Sequence, residues 1–129
     1  MVVMKSIHDN EIKNYFVDFE KKQIRMKVFS EEKINKEIVF KNVFSHKFYN
    51  DMPYSIILDL EERPLSSFFK RNKELLLEGK RDFWPIDFDT MNDLEKEIEK
   101  QNQKYWILSS SYGLRGWVLC EEIEILTLK

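Results

Sequence analysis

His46 and Asp59 are the residues whose types and spacing come nearest to a catalytic pair in this chain. A histidine acting as a general base needs a carboxylate that orients its ring and a nucleophile or substrate beside it. The two residues lie in consecutive predicted strands, which a hairpin would bring side by side. His46 also shares its strand phase with Phe44 and Phe48, so a half-buried histidine bonded to a backbone group is the simpler interpretation. We therefore predict no catalytic residue.

Metal and cofactor sites are not predicted. Two histidines and one cysteine cannot supply the usual ligands of zinc. Asp82, Asp87 and Asp89 have a spacing that suggests calcium, but apolar residues interrupt them and the glycine of the sharp turn is missing. A phosphate-binding loop needs closely spaced glycines and a lysine. The chain has three glycines, and no lysine completes such a loop.

The three tryptophans are the next candidates, because aromatic side chains are common in ligand pockets and protein interfaces. Trp106 and Trp117 lie in two predicted strands around Gly113, where we expect them to stack across a hairpin as part of the core. Trp84 lies in a predicted loop, and it is the better candidate for contact with a partner or for a lid over a pocket.

Acidic residues occur in pairs at the ends of two predicted strands, Glu61 with Glu62 and Glu121 with Glu122. In the simplest interpretation these carboxylates keep strand edges soluble. If they converge in space, they form an anionic patch suited to a basic partner. We assign partner binding to these four glutamates together with Trp84.

Length and composition indicate one globular domain, residues 1–129, with a substantial core. The chain is 43% hydrophobic and 14% aromatic, and it contains no alanine. A core of large side chains suits a sheet better than closely packed helices. The net charge of −2 lacks the basic excess typical of proteins that bind nucleic acid, so we predict no nucleic-acid partner.

Three features predict a cytoplasmic protein that does not bind membranes. Cys120 is the only cysteine, so the fold needs no oxidising compartment. The first residues contain no apolar run long enough for a signal peptide, and no run reaches the roughly 18 residues of a membrane span. Because Cys120 follows an apolar strand, we predict a buried and inert thiol.

Alternating apolar residues predict strands in the first half of the chain. Residues 15–28 form a β-hairpin with one buried face. Two further strands follow within Glu37–Glu62, with a β-bulge at Lys41–Asn42. The apolar face of the second of these strands consists of Ile56, Leu58 and Leu60.

The spacing then becomes helical. Pro64 suits the first turn of a helix and Gly79 its C-terminal cap. The buried face of this helix consists of Leu65, Phe68, Phe69, Leu75 and Leu76. A second helix starts after Thr90, which resembles a capping residue with Asp93 as its partner. Its apolar side consists of Leu94, Ile98 and Tyr105.

Residues 106–110 and 117–128 complete the pattern as a second strand pair. The order of strands, then helices, then strands predicts an α+β fold. We expect a mainly antiparallel β-sheet of about six strands with two helices packed on one face.

The stretch Glu37–Glu62 (EIVFKNVFSHKFYNDMPYSIILDLEE), with residues 105–125 (YWILSSSYGLRGWVLCEEIEI), resembles small bacterial proteins of low-GC Gram-positives. Some proteins of that type look like immunity proteins encoded near secreted toxins. The matching features are the aromatic-rich strand ending at Phe48, the polar break after it and the IILDLEE strand. The resemblance implies a toxin antagonist or another binding module, and it carries over no functional residues.

Two functions remain open from the sequence. The first is a non-enzymatic binding domain of the immunity type that binds and neutralises a toxin with a basic surface. The alternative is a small-ligand-binding or enzymatic domain with a pocket between sheet and helices, using His46, Asp59 and Trp84. The partner and the oligomeric state do not follow from the sequence.

Overall fold

The computed structural model describes residues 2–72 and 90–129. A short 3₁₀ helix at Lys5–Ile7 precedes six strands and two α-helices in this part of the chain. The strands are β1 Glu11–Asp18, β2 Gln23–Phe29, β3 Asn35–Tyr49, β4 Ser55–Arg63, β5 Lys104–Tyr112 and β6 Arg115–Thr127. The helices are α1 Leu65–Arg71 and α2 Met91–Lys100.

The six strands form a closed antiparallel barrel in the order β1-β2-β3-β6-β5-β4. The barrel closes where Glu11 and Ile12 of β1 pair with Ile56 and Ser55 of β4. The predicted α+β fold, a sheet with two helices packed on one face, is therefore wrong. Alternation of apolar residues shows which side chains are buried, but it does not show which strands become neighbours, and closure depends on that choice.

The segment before β1 extends the closure along β4. Val3 forms a bridge with Glu61, and the backbone nitrogen of Met4 donates to the carbonyl of Leu60 at 2.9 Å. Ile7 follows in the 3₁₀ helix and is fully buried in the core. These residues have no periodic pattern in the sequence, so their role in the barrel was not predicted.

The barrel interior is the main hydrophobic core. Ile24, Met26 and Val28 of β2 are all buried in it, which confirms the predicted face of the first hairpin. On β4 the prediction is wrong at Leu58, which is 41% exposed, whereas Ile57 is fully buried. The pairing of β4 with β5 shifts register on both sides of Ile57, and these shifts reverse the face of the neighbouring residues.

A second hydrophobic cluster lies outside the barrel, where the helices contact strands. Its buried members are Phe68, Leu94, Ile98, Tyr105, Trp117 and Leu119. Phe68 is fully buried, while Phe69 is half-buried at the edge of the cluster. Pro64 caps α1 and does not lie in its first turn. Leu75, Leu76 and Gly79 fall outside the described residues.

The start of α2 confirms the predicted cap, since the Thr90 hydroxyl accepts a hydrogen bond from the backbone nitrogen of Asp93 at 3.1 Å. Leu94 and Ile98 are fully buried on its apolar side, as predicted. The helix ends at Lys100, so Tyr105 belongs to β5 and not to the helix. It nevertheless packs in the same cluster as Leu94 and Ile98.

Candidate functional site

His46 and Asp59 do not form a pair, because β3 lies between β2 and β6 whereas β4 lies between β1 and β5. The His46 ring instead packs against Phe48, with ring centroids 5.2 Å apart, and burial lowers the pKa of His46. The Asp59 carboxylate lies 3.8 Å from Nδ1 of His8, which is exposed. The half-buried position predicted for His46 agrees with this placement. The catalytic alternative is not supported, because Asp59 is not beside the His46 ring.

Trp106 and Trp117 are both buried, as predicted for core residues, but they do not stack across the hairpin. Trp106 pairs with Val118 and belongs to the barrel interior. Trp117 pairs with Ile107 and belongs to the cluster under the helices. The two rings therefore lie on opposite faces of the β5–β6 pair. Trp84 lies outside the described residues.

Cys120 is fully buried in the barrel interior, as predicted. Burial raises the pKa of its thiol to about 12. The thiol is therefore protonated near neutral pH and is a poor nucleophile or metal ligand.

Glu61 and Glu62 do not form a joint patch. They are consecutive in a regular part of β4, so their side chains point to opposite faces of the sheet. Glu61 forms a salt bridge with Arg63 two residues along the strand, while Glu62 lies opposite Trp106. The two residues thus lie on different sides of the barrel wall.

Glu121 and Glu122 behave differently, because both are exposed although they are consecutive in β6. Cys120 and Ile123 on either side of them both pack against the barrel interior, so the alternation of faces is broken between these two residues. The partner strand is irregular at the same level, where Asn42 adopts a φ of 51° and the register shifts before Ser45. The bulge predicted at Lys41–Asn42 is thus centred slightly later in the structure.

The two glutamates line an open groove of about 430 Å³, which we call the acidic groove. It lies between the end of α2, the start of β5 and the irregular part of β6. Its lining residues are Leu65, Glu99, Asn102, Gln103, Lys104, Glu121 and Glu122. Among these described residues, three carboxylates accompany one ammonium group, so their side chains carry an excess of negative charge.

Gln103 is the unusual residue of the acidic groove, since it is only 3% exposed. Its Nε2 donates to the carbonyls of Asn42 and Gln101, at 3.1 and 3.4 Å. Because both neighbours are acceptors, the amide nitrogen must face them. Its Oε1 is then buried without a donor. An unsatisfied buried acceptor costs about 1–3 kcal/mol, so a donor that reaches this atom is favoured.

Sequence reasoning identified Glu121 and Glu122 but missed Glu99 and Gln103. Glu99 lies among other charged residues of α2, and Gln103 follows the end of that helix. Nothing in their local pattern separates them from residues exposed to solvent. Their proximity to Glu121 depends on how α2 and β5 meet the β3–β6 pair.

Within residues 2–72 and 90–129, no group of three or more His, Cys, Asp or Glu side chains could hold a metal ion. No helix in this part of the chain is long and apolar enough to span a membrane. Comparison of the chain with protein-family models, curated proteins and solved structures found no match.

Proposed function

We propose that the chain is a non-enzymatic binding domain that recognises a basic surface of another protein through the acidic groove. The observation that carries this proposal is that Gln103, whose buried Oε1 has no hydrogen-bond partner among the described residues, lines the same groove as three carboxylates. A lysine or arginine side chain of the partner supplies both the N–H donor and the positive charge. Charge-assisted hydrogen bonds of this kind are stronger than those between neutral groups.

The two parts of the acidic groove have different tasks in this proposal. Glu99, Glu121 and Glu122 attract a basic partner over a distance and align it, which mainly raises the association rate. Gln103 discriminates among the side chains that enter, because only a donor satisfies its buried oxygen.

The finer proposal is an immunity-type role in the bacterial cytoplasm, in which the domain neutralises a toxin. A toxin that attacks nucleic acid has a basic active site, and an acidic groove placed over that site would block it. The resemblance of Glu37–Glu62 to immunity-type proteins supports this version. Of the five contacts expected from the sequence, Glu121 and Glu122 line this groove, and the structure adds Glu99. Glu61 and Glu62 do not line it, and Trp84 lies outside the described residues.

A charge-reversal experiment tests the proposal. The groove variant is Glu121→Lys/Glu122→Lys, and the matched control is Glu31→Lys/Glu32→Lys, which reverses an equally exposed pair in the turn between β2 and β3. Each protein serves as bait in an affinity pull-down from the native host, and bound proteins are identified by mass spectrometry. A basic protein that is retained by the wild type and the control, but lost from the groove variant, supports the proposal.

Two further measurements separate the general proposal from the immunity role. Binding should weaken as salt is raised from about 0.15 M to 1 M, because the Debye length falls from roughly 8 to 3 Å. Co-expression of the wild type should rescue growth of cells that produce the partner, whereas the groove variant should not. If all three baits capture the same proteins equally, the proposal that the acidic groove binds the partner is contradicted. If the wild type binds the partner but does not rescue growth, only the immunity role is contradicted.

A further inference from the structure

A second groove of opposite charge lies between α1, β5 and the start of β6. Its volume is about 350 Å³, and it shares no lining residue with the acidic groove. We call it the basic groove. The residues that matter for its chemistry are Tyr49, Arg71, Asn72, Tyr105, Arg115 and Trp117.

The two arginines of the basic groove are exposed and lack carboxylate partners within residues 2–72 and 90–129. The other two arginines in this part of the chain are paired, Arg25 with Glu37 and Arg63 with Glu61. Arg71 ends α1 and Arg115 begins β6, so the positive charges come from two elements that are distant in sequence. The groove therefore presents cations whose charge no carboxylate of the described residues neutralises in a salt bridge.

A tyrosine and an asparagine lie beside the two guanidinium groups in the basic groove. Burial raises the pKa of Tyr105, while Asn72 and the charge of Arg71 act in the opposite direction. The Tyr105 hydroxyl therefore keeps its proton near neutral pH, and it lies close enough to Arg71 to be influenced by its charge. The Asn72 amide is already engaged, since its Nδ2 donates to the carbonyl of Phe68 at 2.9 Å, so the two guanidinium groups are the main donors that the groove offers to an acceptor-rich ligand.

The walls of the basic groove are largely aromatic and aliphatic. Tyr49 is 45% exposed, and the Lys47 ammonium lies 5.5 Å from its ring centroid, which adds a third positive charge nearby. Gly116 also lines the groove, and a Cβ there would lie 2.0 Å from the carbonyl oxygen of Lys47. A side chain at this position is therefore excluded by the close approach of the β3 backbone.

We infer that the basic groove binds a small aromatic anion, a flat ring that carries a phosphate or a carboxylate. The anionic group lies between Arg71 and Arg115, and the ring packs against the aromatic wall at Tyr49. Ligand sites of this kind combine apolar walls with a few convergent polar groups. Arginine suits the anion because its planar donors match both phosphate and carboxylate.

Calorimetric titration of the whole chain tests this inference. Adenosine 5′-monophosphate and 1-naphthoate probe the phosphate and carboxylate versions, while adenosine and inorganic phosphate each retain only one of the two features. We expect one of the two aromatic anions to bind at least about tenfold more tightly than either control. The backbone amide NMR signals of Arg115 and Gly116 in the wild type should change position during the same titration. This change locates the ligand without any substitution.

Three variants provide the second half of the test. Arg71→Gln and Arg115→Gln should each weaken binding by about tenfold. Lys70→Gln removes the same charge next to Arg71, but Lys70 does not line the groove, so binding should be unchanged. Failure of both anions to bind at about 10 mM overturns the inference, as does undiminished binding by both arginine variants. The Glu121→Lys/Glu122→Lys protein should bind the anion normally, so this result stands apart from the test of the acidic groove.

Discussion

Asn42 and Glu121 face each other across the β3–β6 pair, where Nδ2 of Asn42 donates to Oε2 of Glu121 at 2.9 Å. The carbonyl of the same asparagine accepts the hydrogen bond from Nε2 of Gln103 at 3.1 Å. Asn42 therefore contacts two residues that line the acidic groove. The backbone of Asn42 is left-handed, with a φ of 51°, at the position where it makes both of these hydrogen bonds.

Replacement of Asn42 by Val and by Gly should separate the backbone from the side chain. A β-branched residue is strained at positive φ, so Asn42→Val should lower the free energy of unfolding by about 1–3 kcal/mol. Asn42→Gly should stay within about 1 kcal/mol of the wild type, because glycine adopts this φ freely and the lost side-chain bond is exposed. Urea unfolding measures both. Equal losses in the two variants would show that the side-chain bond, and not the backbone, dominates.

Phe68 should be the most sensitive position of α1. It is fully buried against Tyr105 and Trp117, so Phe68→Ala should lower the free energy of unfolding by about 3–5 kcal/mol. Phe69→Ala should cost less, since Phe69 is only half-buried. Lys70→Ala should change stability by no more than about 0.5 kcal/mol, because Lys70 is exposed. Thermal unfolding of the three variants gives the ranking, and a neutral Phe68→Ala would contradict the packing of the outer cluster.

His46 should make stability depend on pH. Burial lowers its pKa in the folded state below the ordinary value of 6.5, so the unfolded chain binds the proton more tightly. The stability that His46 contributes is complete above about pH 6.5, the pKa of histidine in the unfolded chain. It is lost as the pH falls through the lower pKa that His46 has in the folded state. Between pH 7 and 5, stability of His46→Gln should therefore change less than that of the wild type. An identical dependence of stability on pH in His46→Gln and in the wild type would refute this assignment.

Cys120 should react with thiol reagents only after unfolding. The thiol is fully buried, and its pKa of about 12 leaves almost no thiolate at pH 8. We expect no modification of the folded protein by Ellman's reagent over minutes, and complete modification in concentrated urea. Rapid reaction of the folded protein would show that the barrel opens at β6 far more easily than its packing indicates.

The sequence predicted the features that depend on nearby residues. The buried face of β2 follows from a strict alternation over a few positions, and the cap of α2 follows from Thr90 and Asp93, which are three residues apart. In both cases the pattern and the physical contact lie within the same short segment. Glu121 and Glu122 were identified for a similar reason, since consecutive carboxylates are visible without knowledge of the fold.

The remaining features depend on contacts between distant segments. Barrel closure requires Ile12 of β1 to pair with Ser55 of β4. The pairing of His46 with Asp59 that the sequence allowed does not occur, because β3 and β4 are not neighbours. Gln103 is buried because its amide reaches Asn42, which lies 61 positions earlier in the chain. No local pattern encodes such a distance, so the acidic groove could be recognised only in part.

The strand order also governs how the protein emerges during synthesis. β6 is the last of the described strands to leave the ribosome, yet it occupies the place between β3 and β5. A nascent chain can form the β1–β2 and β2–β3 hairpins early, but β3 and β5 each keep an open edge until β6 inserts between them. Open edges pair readily with other chains. The period between translation of β5 and insertion of β6 is therefore when this protein is most exposed to aggregation.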